Sequence, residues 1–112
     1  MKNWYKNLEK PYRDFPAEAQ ILNMVSDLLK AKNLIDQQRS SAINHLFKAI
    51  ILLDYIIEDK KWNKKLAELL RLREAIGSLI YFENPFGSFD QIIKAALLLA
   101  PGAYKKIGIS SK

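Results

Sequence analysis

The residue types able to do chemistry are few in this chain. His45 is its single histidine and it has no cysteine, which excludes disulfides, thiolate metal sites and cysteine nucleophiles. Zinc would lack ligands. A bundle di-metal site needs several carboxylates with paired Glu-x-x-His segments, and the chain has none. Gly77, Gly87, Gly102 and Gly108 are scattered rather than gathered in a phosphate loop, and no serine stands in a nucleophile-elbow context. No cofactor and no metal are therefore expected. What is left is Arg39 and His45, with five residues between them. Such a pair offers an imidazole to move a proton and a guanidinium to stabilise phosphate charge.

An arginine, a spacer of about four to six residues and a histidine resembles the nucleases of the HEPN class, where the histidine would handle a 2′-hydroxyl proton. The chain departs from that pattern twice. Ser40 follows the arginine where a polar amide or acid is usual, and the pair sits in the second helix rather than near the C-terminus. A six-residue offset also turns a regular helix by about 240°, so the two side chains diverge. The plainer expectation is a partly buried, hydrogen-bonded His45 beside a surface Arg39; a ribonuclease or toxin using both is the alternative. Asp54, in the apolar run 50–57, is the other outlier. It either points out through a narrow polar seam or pairs with Arg71 or Arg73.

The elements that must position these residues are helices. The chain has 112 residues, room for one domain. Val25 is its one valine and threonine is absent, whereas strands draw heavily on both. Leu, Ile, Ala, Lys and Glu dominate instead. Residues 1–15 form an arm in which Pro11 interrupts any long helix, with a short helix expected before it. Pro16 suits the first position of a helix whose apolar residues are Ile21, Leu22, Val25, Leu28 and Leu29, with Asn33 as its stop. The second helix begins between Leu34 and Ser41, with Asp36, Ser40 and Ser41 able to cap it. It is apolar around most of its circumference, so neighbours or a second subunit must cover it. The third starts near Trp62 or Asn63, carries Leu66, Leu69, Leu70, Ile76, Leu79 and Ile80, and stops at Asn84-Pro85. Ser88 with Gln91 reads as a capping box opening the fourth, and Pro101-Gly102 closes it. The predicted architecture is all-α: an antiparallel four-helix bundle over 16–102, preceded by the arm and followed by a tail, 103–112.

Up-down topology brings the arm, the turn between helices two and three, and the tail to one end. That end gathers Lys2, Lys6, Lys10, Arg13, Lys60, Lys61, Lys64, Lys65, Lys105, Lys106 and Lys112, against Glu9, Asp14, Glu58 and Asp59. The net charge of the whole chain is +6, and this pole accounts for all of it. Trp4, Tyr5, Tyr12, Trp62 and Tyr104 accompany the lysines. Cations that neutralise phosphates beside rings that stack on bases suit RNA or single-stranded DNA. Lysines that solubilise helix ends, with aromatics packed as staples, are the plainer reading.

Residues 34–82 carry a further likeness. Gln38-Arg39 enters a long apolar helix, His45-Leu46-Phe47-Lys48-Ala49-Ile50-Ile51-Leu52-Leu53, followed by Leu69-Leu70-Arg71-Leu72-Arg73. This resembles the small four-helix-bundle proteins encoded in ribosomal RNA intervening sequences and the accessory bundles of diversity-generating retroelements. The glycine-rich, tryptophan-containing C-terminal end of that family is not matched: Pro101-Gly102-Ala103-Tyr104 stands there. The resemblance implies a basic, oligomeric bundle without catalytic residues, serving RNA or a nucleic-acid enzyme such as a reverse transcriptase. The expectation is a non-enzymatic nucleic-acid-binding bundle, homo-oligomeric and cytoplasmic. The polar N-terminus is unlike a secretory signal, and the run 49–57 is shorter than the roughly 20 residues of a membrane span. A pure protein-interaction module is the remaining alternative.

Overall fold

The computed structural model describes residues 9–102. Its helices are α1 (Glu9–Arg13), α2 (Ala17–Leu34), α3 (Arg39–Glu58), α4 (Leu66–Tyr81) and α5 (Phe89–Leu98), with a 3-10 segment, Lys60–Lys65, leading into α4. Helices α2 to α5 form the antiparallel bundle, each packing on the next and α5 closing back on α2. Side-chain ties give the directions. At one end the last turn of α2 meets the start of α5 through Lys32 and Asp90, 2.6 Å apart. At the other, Gln20 near the start of α2 reaches Asp59 just after α3, and Gly102 lies against Glu18.

Several boundaries differ from the sequence expectation for local reasons. Pro16 is the cap of α2 rather than its first residue, because its ψ of 152° is extended; its carbonyl accepts from the Gln20 amide at 3.0 Å. Pro11 lies within α1 instead of ending a helix before it. Asn33 does not stop α2, which runs one residue further. Neither Asp36, Ser40 nor Ser41 caps α3; Gln38 takes the position and makes no side-chain bond there. The turn after α3 is wound as 3-10, so α4 starts later than Trp62 or Asn63. The capping box of α5 is formed: Ser88 Oγ accepts from the Gln91 amide at 3.1 Å, and Gln91 Oε1 from the Ser88 amide at 2.9 Å.

The core is centred on α3. Ile50, Ile51, Leu52, Leu53 and Ile56 are all buried within the one chain. The breadth of this apolar face is therefore used by α1, α2 and α4, and it does not call for a second subunit. By length and composition α3 is apolar enough to cross a bilayer, yet half of its most apolar window is buried inside the bundle. Asp54 takes the pairing alternative: Arg73 Nε lies 2.6 Å from its Oδ1 and Arg73 Nη2 3.3 Å from its Oδ2. The Asp54 carboxylate holds the Arg73 guanidinium above its ordinary pKa.

Candidate nucleic-acid interface

The basic end is built on a buried polar knot. Gln20 sits on the stripe of α2 that also buries Met24, Asp27 and Ala31, and it is fully inaccessible. Its Nε2 donates to the Tyr12 carbonyl at 2.9 Å and to Asp59 Oδ2 at 3.0 Å, while its Oε1 accepts from Trp62 Nε1 at 2.7 Å. The Tyr12 hydroxyl donates back to the Gln20 carbonyl. One glutamine thereby ties the arm, the start of α2 and the 3-10 segment together, and every polar group of the knot is satisfied.

This arrangement changes what the aromatics can do. Trp62 and Tyr12, expected as exposed stacking rings, are 4% and 0% exposed. The physical reason is that both are hydrogen-bonded at their polar edges and packed at their apolar faces, Tyr12 against Phe15 and Tyr55. Neither ring is available to a base.

The cations divide into two groups. Lys61 Nζ donates to Asp59 Oδ2 at 2.6 Å and to the carbonyls of Arg13 and Phe15 at 2.9 and 3.3 Å, so it clasps the arm to the turn. Arg13 pairs with Glu58 at 3.2 Å. These two residues hold the frame. Lys10, Lys60, Lys64 and Lys65 are exposed around it and make no ion pair among the described residues. Asp59 feels opposed influences. Burial raises its pKa, but hydrogen bonds from the Lys61 ammonium, the Gln20 amide and the Lys61 backbone, with the Lys61 charge, outweigh that and leave it below 3.8. Lys6, Lys105 and Lys106, also assigned to the pole, lie outside the described residues, as do Lys2, Trp4, Tyr5, Tyr104 and Lys112.

Arg39 and His45 are not brought together. Arg39 opens α3 and is exposed, lining a shallow depression of about 500 Å³ with Leu79, Phe82 and Pro85. His45 faces α2, with Nδ1 3.0 Å from Oδ1 of Asp27, whose side chain is 4% exposed. The sequence reading missed Asp27 and Gln20. Their signal was register: with Met24 and Ala31 they repeat every three or four residues, so polar groups there must face the core. Among the described residues no three acidic or imidazole groups gather as a metal site would need.

No family model, no curated protein and no solved structure matches this chain. The geometry of its own residues therefore carries the functional reading. A second concavity is an open groove of about 670 Å³ between α4 and α5, with Leu72, Ala75 and Ile92 at its floor and Lys65 and Arg71 at its rim.

Proposed function

We propose that this protein is a non-enzymatic bundle that binds the phosphate backbone of RNA or single-stranded DNA, free or within a nucleoprotein partner, through its basic pole. The observation that carries this reading is the division of labour among the cations: Lys61 and Arg13 are spent on structure, whereas Lys10, Lys60, Lys64 and Lys65 stand exposed at the same end of the bundle. With Trp62 and Tyr12 buried, affinity in this part of the pole comes from phosphate neutralisation and counterion release rather than base stacking. Binding is then steep in salt and nearly indifferent to base composition. The resemblance to retroelement accessory bundles agrees with a chain that contributes charge and shape but no chemistry.

The test is fluorescence anisotropy with labelled RNA and DNA oligonucleotides across a salt series. The triple variant K60E/K64E/K65E lowers affinity by on the order of 100-fold or more and flattens the salt slope by about three, one for each lost phosphate contact. Absence of binding at about 50 mM salt, or a triple variant that binds as well as the parent, refutes the proposal. The nuclease reading draws no support from the geometry, since Arg39 and His45 meet different neighbours. Unchanged RNA in a long incubation, with or without His45→Ala, is the expected result.

A further inference from the structure

Every large apolar side chain left exposed among the described residues lies on α4, on α5 or in the loop joining them: Leu66, Leu70, Tyr81, Phe82, Phe86 and Leu98. Helices α2 and α3 contribute none. On α4 the exposure is periodic. Leu66, Leu70, Gly77 and Tyr81 fall in a narrow strip of a 3.6-residue helix, with the Arg73–Glu74 step filling the position between Leu70 and Gly77. The strip lies to one side of the face that buries Leu69, Leu72, Ile76 and Leu79. Two steps of four flank one of seven, from Leu70 to Gly77, and the seven is one repeat of a helix–helix seam. Leu66 and Leu70 are 42% and 46% exposed, and a Cβ built at Gly77 would meet nothing within 4 Å. The middle of the strip is thus open to close approach by another helix.

The charge beside the strip identifies the occupant. Arg71 and Glu74 are exposed, lie on the same flank and make no ion pair among the described residues. Arg73, on the opposite flank, is already held by Asp54. Two copies of α4 can cross antiparallel about a twofold axis passing between Leu72 and Arg73. Arg71 of one copy then faces Glu74 of the other, and symmetry supplies the reciprocal pair. The Leu66–Leu70 half of one strip meets the Gly77–Tyr81 half of the other, large side chains against the gap at the glycine. A parallel twofold pair would instead set this flank against the opposite flank of the other copy, so Arg71 and Glu74 would not meet.

We propose that the outer face of α4 is a self-association surface, occupied by a second copy of this chain in antiparallel, twofold arrangement. The seam is a single helix pair, so it is a small interface and the dimer is a weak one, with a Kd on the order of 10–100 μM. The proposal is independent of nucleic-acid binding.

Sedimentation over protein concentrations from about 5 to 500 μM tests it. The parent chain moves from monomer to dimer across that range, and L70E stays monomeric throughout. R71E and E74R each weaken the dimer about tenfold or more, because each turns two attractive contacts into repulsive ones. The double variant R71E/E74R restores it to within about threefold of the parent, since the swapped charges again face opposites. All three positions are exposed, and helical circular dichroism confirms that each variant is folded. A parent chain still monomeric at the highest concentration overturns the proposal and leaves the strip for a helix of another protein. So does a dimer insensitive to L70E, or one that the double variant fails to restore.

Discussion

The two halves of the bundle close in different ways. Helix α2 buries polar residues at core positions and satisfies each of them on the elements around it: Gln20 with Tyr12, Trp62 and Asp59, and Asp27 with His45 of α3. Helices α4 and α5 have a simpler pattern. Their core contacts are apolar apart from Ser78, whose hydroxyl donates to the Ala75 carbonyl at 2.6 Å and accepts from the Phe86 amide at 3.0 Å. They leave Leu66, Leu70, Phe86 and Leu98 outside. The difference teaches what each half is for. Buried hydrogen bonds are directional, so they fix the register of the α2–α3 pair and lock the basic turn to it. Apolar surface is not directional, and where it stays exposed it is adhesive.

Breaking the knot has the largest effect. Gln20→Leu leaves the Trp62 indole N–H, the Tyr12 carbonyl and Asp59 without their buried partner and lowers the unfolding free energy by about 3–4 kcal/mol. Leu98→Gln, an equivalent exchange on the open half, changes it by less than about 0.5 kcal/mol. Urea unfolding of both variants measures the contrast, and equal effects would abolish it. Next comes His45→Ala, which strips the Asp27 carboxylate of its imidazole and costs about 1–3 kcal/mol by the same assay.

The sealed half is also the acid-sensitive one. The folded carboxyl of Asp59 has its pKa lowered below 3.8, so the unfolded chain takes up a proton first as pH falls. Its contribution is complete above the unfolded pKa and disappears as pH drops through the lower folded value. Stability measured from pH 6 down to pH 2 therefore declines, and Asp59→Asn reduces the slope below about pH 4. The smallest effect belongs to the half-exposed Asp54–Arg73 pair. Arg73→Met shifts stability by less than about 1 kcal/mol and the shift shrinks in salt, read by thermal unfolding at two ionic strengths.

Much of the fold was legible because helices announce themselves locally. Ser88 and Gln91 sit three apart and cap α5 in the expected way, and the apolar spacing of α2 marks the face it buries, whereas in α4 Leu66 and Leu70 of the expected stripe stay exposed. The pole was legible only in part. That the arm and the 60–65 turn meet follows from chain direction alone, and Trp62 does join Tyr12 through Gln20. Which way the Trp62 ring turns does not follow from Lys-Lys-Trp-Asn-Lys-Lys, where lysines on both sides suggest an exposed ring. Gln20 at a core position, 42 residues away in the chain, is the residue that draws it inward. Lys61 was misjudged for the same reason. Its partners are backbone carbonyls of the arm, and no residue type signals a carbonyl that happens to be free.

The sequence by itself determined that this chain is helical, where its helices turn, and that its charge is concentrated in segments lying between them. Periodicity, caps and prolines act over a few residues and need no knowledge of the rest of the molecule. Tertiary structure alone decided which of the basic and aromatic residues are structural and which are presented, because that depends on pairings such as Gln20 with Trp62 and Asp54 with Arg73. Hydrogen bonds and ion pairs act at about 3 Å, and residues distant in the chain come that close only after the helices have packed.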